Sequence, residues 1–132
     1  MIPLRPALVV GAVALTGLGV SPALAATTAK PTSLTLKAAH TTVAPKAKDT
    51  LTSTLKSGVR RLGDEKVQLE RRAVGARRWT LVSTKTSNSL GQDSWSVVPG
   101  TRKGQKEQYE LVFAGTKAFA RSHSSVLNVT VS

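Results

Sequence analysis

Gln108-Tyr109-Glu110-Leu111-Val112-Phe113 and, further on, Ser125-Val126-Leu127-Asn128-Val129-Thr130-Val131 are the most regular stretches of this chain. In the first, Tyr109, Leu111 and Phe113 share one parity; in the second, Leu127, Val129 and Val131 do. A period of two puts alternate side chains on opposite faces of an extended backbone, so both stretches predict strands lying half-buried against a core.

The same period recurs upstream of them. Ser33-Leu34-Thr35-Leu36-Lys37-Ala38 alternates polar and apolar residues, and Thr50-Leu51-Thr52-Ser53-Thr54-Leu55 puts Leu51 and Leu55 on one face with small Ser53 between them. Ser57-Gly58 closes that strand. Glu65 to Arg71 alternates again, with Val67 and Leu69 inward. Ala73-Val74-Gly75-Ala76 is a break of hairpin length, after which Arg78-Trp79-Thr80-Leu81-Val82-Ser83-Thr84 resumes with β-formers. Beyond Asn88 to Gln92, Asp93-Ser94-Trp95-Ser96-Val97-Val98 runs into the turn signal Pro99-Gly100. Seven strands at this spacing, with no stretch of helical periodicity, predict an all-β, seven-stranded antiparallel sandwich over residues 33–132.

The N-terminus reads differently. Arg5 supplies a short positive region, Ala7 to Val20 are uncharged and apolar, and Ser21-Pro22-Ala23-Leu24-Ala25 ends in the small-x-small pattern of a signal peptidase site. Residues 1–25 therefore read as a signal peptide, residues 26–32 as a flexible linker, and the mature product as secreted and extracellular. A retained anchor would need roughly 20 predominantly apolar residues, and Thr16, Ser21, Pro22 and Thr27-Thr28 interrupt the stretch. The chain has no Cys, so it carries neither a thiol to acylate nor a disulfide to staple the fold.

Removing residues 1–25 from the 132 leaves one domain's worth of chain, with 18 Lys and Arg against 7 Asp and Glu, a net charge of +11. A field of that sign speeds encounter with anionic surfaces and opposes self-association. The basic residues come in pairs: Lys46 with Lys48, Arg60-Arg61, Arg71-Arg72, Arg77-Arg78, and Arg102-Lys103 near Lys106. Candidate anion-binding residues are Arg60, Arg61, Arg71, Arg72, Arg77 and Arg78, whose guanidinium groups suit repeating phosphates. Surface solubility and protection of strand edges are the plainer use of such residues. Nucleic acid is the less suited polyanion, because neither a groove-filling helix nor a set of stacking aromatics is offered.

In order along the chain, five short signals stand out: Leu51 to Gly58, Val67 to Arg71, Trp79 to Val82, Gly91 with Trp95 and Pro99, and Tyr109-Leu111-Phe113-Gly115. Their succession resembles the bacterial immunoglobulin-like repeat domains of secreted and surface proteins of actinobacteria. The chain departs from that pattern in two places: Val59 to Asp64 is basic where the repeats have a Gly- and Pro-rich turn, and Asp93 stands where they often carry an aromatic, leaving Trp95 to fill the core. The resemblance implies an immunoglobulin-like sandwich used for adhesion, spacing or binding.

No constellation of catalytic type accompanies it. His40 and His123 are the only histidines and lack ligand-like spacing, and Glu70, Glu107 and Glu110 read as outward residues on charged strands, not as a carboxylate pair. The reading is therefore of a non-enzymatic module without cofactor or small-molecule substrate. Its partner is a protein or an anionic cell-wall polymer, and no stable membrane insertion is expected after processing. Trp79, beside Arg77 and Arg78, is the aromatic best placed for contact. Tyr109, near the start of its strand, is suited to a tyrosine corner.

Overall fold

The computed structural model describes residues 28–132; the signal-peptide reading of residues 1–25 lies outside them. Ten strands follow one another: β1 (Ser33–Ala38), β2 (Thr42–Val43), β3 (Asp49–Ser57), β4 (Arg60–Arg61), β5 (Lys66–Ala73), β6 (Thr80–Thr86), β7 (Gln92–Val97), β8 (Lys106–Phe113), β9 (Ser122–His123) and β10 (Leu127–Val131). The seven expected strands are the long ones. The three additions, β2, β4 and β9, have two residues each, too few for any periodicity to register.

Two sheets result. In the first, β3 is flanked by β1 on one side and by β7 on the other, with β4 pairing its last residues. The second has the order β2-β10-β8-β5-β6, with β9 beside the end of β8. A purely antiparallel arrangement was expected, but β2 runs parallel to β10, with Thr130 opposite Thr42 and Val131 opposite Val43. The physical reason is a change of sheet. The chain leaves β1 in the first sheet and crosses to the edge of the second, where the only open neighbour runs in its own direction.

The core lies between the sheets and follows parity. Leu34, Leu51, Leu55, Trp95 and Val97 enter from the first sheet, and Val67, Leu69, Tyr109, Leu111, Phe113, Val129 and Val131 from the second. Most are almost wholly withdrawn from water, so truncating one of the leucines costs about 2–5 kcal/mol. Gly91 begins the turn into β7 at φ +72°, and a Cβ there would stand 2.6 Å from the Leu55 carbonyl oxygen. Only glycine satisfies both demands.

Part of the stretch read as linker is tied down. Lys30 N–H donates to Ala118 O at 2.9 Å and Lys30 O accepts from Ala120 N–H at 2.7 Å, while the Thr32 hydroxyl donates to Ala120 O. The fold thus begins by Lys30, ahead of β1. Strand β6 starts at Thr80, two residues later than the sequence suggests, because the β5–β6 connection runs through Trp79. It is paired only with β5, and a register shift at Leu69/Glu70 makes Val82 the extra residue of a bulge.

Candidate functional site

Parity along β5 separates the candidate arginines. Val67 and Leu69 face the core, so Arg71 is also inward, and on the neighbouring strand the inward set Tyr109, Leu111 and Phe113 carries Glu107 with it. The two meet at one end of the core. Arg71 Nε and Nη2 donate to Glu107 Oε1 at 3.1 and 2.9 Å, and Nη2 reaches Pro99 O at 3.4 Å. The Glu107 side chain is 9% exposed and that of Arg71 35%. Arg71 is therefore an internal counter-ion, and Glu107 is buried, contrary to its outward assignment. Glu70 and Glu110 do face out, opposite each other on β5 and β8.

Asp49 is enclosed at the same end, its Oδ1 accepting the backbone N–H groups of His40 and Thr50. Burial pushes the Tyr109 hydroxyl above the ordinary phenol value; Arg71 opposes that rise, and Glu107 and Asp49 add to it. The expected tyrosine corner is absent: the ring is fully buried, but its hydroxyl has no hydrogen-bond partner among the described residues. Its surroundings are the side chains of the ion pair, with the guanidinium of Arg71 5.8 Å from the ring centroid.

Arg72, one residue on, points the other way. Its Nε donates to Gln108 Oε1 at 2.9 Å, Gln108 Nε2 donates to Asn128 Oδ1 at 3.0 Å, and its guanidinium lies 4.2 Å from the centroid of the Trp79 ring. Trp79 is half-buried beneath it. Leu81 projects beside this row opposite Glu70 and is 52% exposed. The outer face of this six-stranded sheet thus carries a row, Trp79-Arg72-Gln108-Asn128, joined by one cation–π contact and two hydrogen bonds and running across four strands or their approaches.

The outer face of the other sheet is different in chemistry. Thr35, Lys37, Thr52, Thr54, Gln92 and Ser94 line a shallow depression there. Lys85, from β6, crosses the gap between sheets to donate to the Ser94 carbonyl on the free edge of β7. Asp93 lies alongside, its carboxyl raised above the ordinary value by burial and drawn back down by Lys85. An inward lysine of this kind and the β6 bulge both discourage edge pairing.

The remaining arginines lie at opposite ends. Arg60 and Arg61 are exposed on β4, where Arg60 stands 5.7 Å from the centroid of Phe119 and the acidic Asp64-Glu65 follow in the same connection. Arg77 and Arg78 are exposed in the β5–β6 hairpin, and two further loops close around it. Val74 N–H donates to Lys106 O at 3.1 Å, and Lys46 N–H to Gly100 O at 2.8 Å. Exposed Lys46, Lys48, Arg102, Lys103 and Lys106 are thereby brought to the end that holds Arg77 and Arg78. The candidate set of six arginines is not one patch, and Lys46, Lys48, Arg102, Lys103 and Lys106, which the sequence shows as basic pairs outside that set, complete this end. A usable signal was present: residues 44–48, 74–79 and 98–105 contain no Asp or Glu.

Among the described residues no group of three or more His, Asp or Glu is placed to hold a metal ion, and no helix is long and apolar enough to cross a membrane. No protein-family model matches the chain, nor does any curated protein. A solved structure, that of the adhesin InvE of Yersinia pseudotuberculosis, is similar, with a TM-score of 0.56 at 15% sequence identity over 77% of this chain. The matched part is 32% of the adhesin, so this chain spans about a third of its length. At that identity the likeness is one of fold.

Proposed function

We propose that the chain is exported, processed after Ala25, and works outside the cytoplasm as a single non-enzymatic immunoglobulin-like module for binding, adhesion or structural spacing at the cell surface. The observation that carries this reading is the outer face of the six-stranded sheet. There, Trp79 is fixed beneath Arg72, and Arg72 is in turn fixed by Gln108 and Asn128. A half-exposed aromatic held in one geometry loses little conformational entropy on contact, which favours recognition. The five sequence signals and the fold likeness to an adhesin agree with it.

The test is to express the whole chain with its leader, fractionate the cells, and determine the N-terminal residue and location of the product. The expected product starts at Ala26, lies outside the membrane, and is retained at the surface less well when Trp79→Ala is introduced. A full-length chain held in the cytoplasm would sink the reading. The gathering of cations at one end of the sandwich favours a second, compatible mode of attachment, to an anionic polymer.

A further inference from the structure

We infer that the end of the sandwich built from residues 44–48, 74–79 and 98–106 is a docking site for a linear phosphodiester polymer that carries no bases, of the poly(glycerol phosphate) kind. This deepens the extracytoplasmic reading above and rests on it for the source of the polymer.

Charge is the first reason. Lys46, Arg77, Arg78, Arg102, Lys103 and Lys106 are exposed at this end, with Lys48 beside them. The acidic residues of the same end are Asp49 and Glu107, and both are withdrawn: Asp49 accepts backbone N–H groups, and Glu107 is held by Arg71. Neither presents a carboxylate at the surface to pair with the exposed cations, and the Glu107 charge is matched by Arg71. At the opposite end Asp64 and Glu65 sit within the same connection as Arg60 and Arg61. Lys30, Lys66, Lys117 and Arg121 are exposed at that end too, so both poles are positive. The end at residues 44–48, 74–79 and 98–106 differs in having no exposed acid among its cations; a field without competing surface carboxylates favours a polyanion there.

Preorganisation is the second. Gln105 Oε1 accepts both Thr101 and Arg102 N–H at 2.7 Å, and Gly100 packs so closely that a Cβ there would meet that oxygen at 2.7 Å and Val131 Cγ2 at 2.9 Å. The loop therefore presents Arg102 and Lys103 from a fixed frame. Lys46 holds φ 65°, a left-handed conformation that glycine adopts at no steric cost, while its N–H is tied to Gly100 O. A lysine kept where glycine is cheaper, in the midst of other cations, points to use of its charge.

The ligand class follows from what accompanies the charge. Guanidinium groups meet phosphate oxygens two at a time and lysines as point charges, so a chain of phosphates suits the mixture. Single-stranded nucleic acid needs faces on which bases stack, and the aromatic of these loops, Trp79, has the Arg72 guanidinium over its ring. A phosphodiester chain without bases requires no such face.

The experiment expresses the full chain, purifies it in whatever form it accumulates, and titrates it with a poly(glycerol phosphate) oligomer over a salt series. Three variants accompany it: Arg102→Gln with Lys103→Gln, Arg60→Gln with Arg61→Gln, and Lys46→Gly. Expected are binding that weakens linearly on a log–log plot against salt, a loss of tenfold or more for the Arg102/Lys103 pair, and a change within twofold for the Arg60/Arg61 pair. Lys46→Gly is expected to reduce the salt slope by about 0.7, the value for one lost contact to a single-stranded polyphosphate, without lowering the thermal midpoint. Equal losses from both ends, no binding by the wild type at low salt, or tighter binding of oligo(dT) with the same number of phosphates would overturn the inference. These results are read on purified protein, so they are independent of whether the fractionation above finds the chain outside the cell.

Discussion

Arg60-Arg61 and Arg77-Arg78 are the same dipeptide in sequence, yet they stand at opposite ends of the sandwich in different company. The first pair shares its connection with Asp64 and Glu65, and Arg60 lies over Phe119. The second is joined by cations from two other loops, with the local acids Asp49 and Glu107 turned inward. The number of arginines is equal at the two sites. What differs is where the acids went, and the sheet pleat decided that. Both ends are basic, with Lys30, Lys66, Lys117 and Arg121 also exposed around the first pair, so the asymmetry is one of surface acids, absent at one pole and present at the other.

The largest effect should come from undoing that burial. Arg71→Ala leaves Glu107 enclosed without its partner and near Asp49, and should cost about 2 kcal/mol, less than a fully enclosed pair would lose because the arginine is 35% exposed. That lowers the thermal midpoint by roughly 10 °C in a domain of this size. Arg78→Ala, seven positions along the same hairpin, should change stability by no more than about 0.5 kcal/mol. Comparable losses from the two would erase the distinction between an internal and a surface arginine.

Next in size is charge reversal. Arg102→Glu with Lys103→Glu should abolish polyanion binding measured at physiological salt, whereas Arg60→Glu with Arg61→Glu should leave most of it. Trp79→Ala removes the ring under Arg72 and should cost about 1 kcal/mol, read by chemical denaturation, while the domain stays folded. Global unfolding would instead make the ring part of the core. Lys46→Gly relieves a left-handed backbone and should raise stability by up to about 1 kcal/mol even as it weakens anion binding.

The smallest effect concerns pH. Burial raises the Asp93 carboxyl above its unfolded value, so the native state holds that proton more tightly than the unfolded chain does. Stability from this group is greatest below the unfolded value and declines as pH rises towards the folded one, with a constant penalty above it. Asp93→Asn should therefore be slightly more stable than the wild type at neutral pH, with the difference vanishing near pH 3 in thermal melts. A difference that grows on acidification would reverse the sign.

Much of this architecture was legible as period two. The long strands fall where alternation of Leu34, Leu51, Leu55, Val67, Leu69, Tyr109, Leu111 and Val129 indicates. The two-residue strands were not, since pairing there depends on a neighbour far along the chain, as with Thr42 and Thr130. Parity also reached further than polarity suggested. Carried on from Val67 and Leu69 it turns Arg71 inward, and carried back from Tyr109 it turns Glu107 inward to meet it. Charge obscured that continuation, because an ion pair inside a core is visible only when both strands are aligned. The cationic end was legible only in part: its basic pairs stand out in the sequence, but Lys46, Arg77 and Arg102 are far apart along the chain, and the backbone bonds of Lys46 to Gly100 and Val74 to Lys106 bring them together.

The asymmetry of the two ends is open to direct mapping. Backbone amide shifts of the labelled protein would be followed by NMR during titration with a poly(glycerol phosphate) oligomer at low salt. We expect the perturbed residues to fall within 44–48, 74–79 and 98–106, with 58–65 and 115–121 unmoved. Shifts spread evenly over both ends, or confined to the Arg60-Arg61 end, would mean that the burial of Asp49 and Glu107 does not set where anions bind.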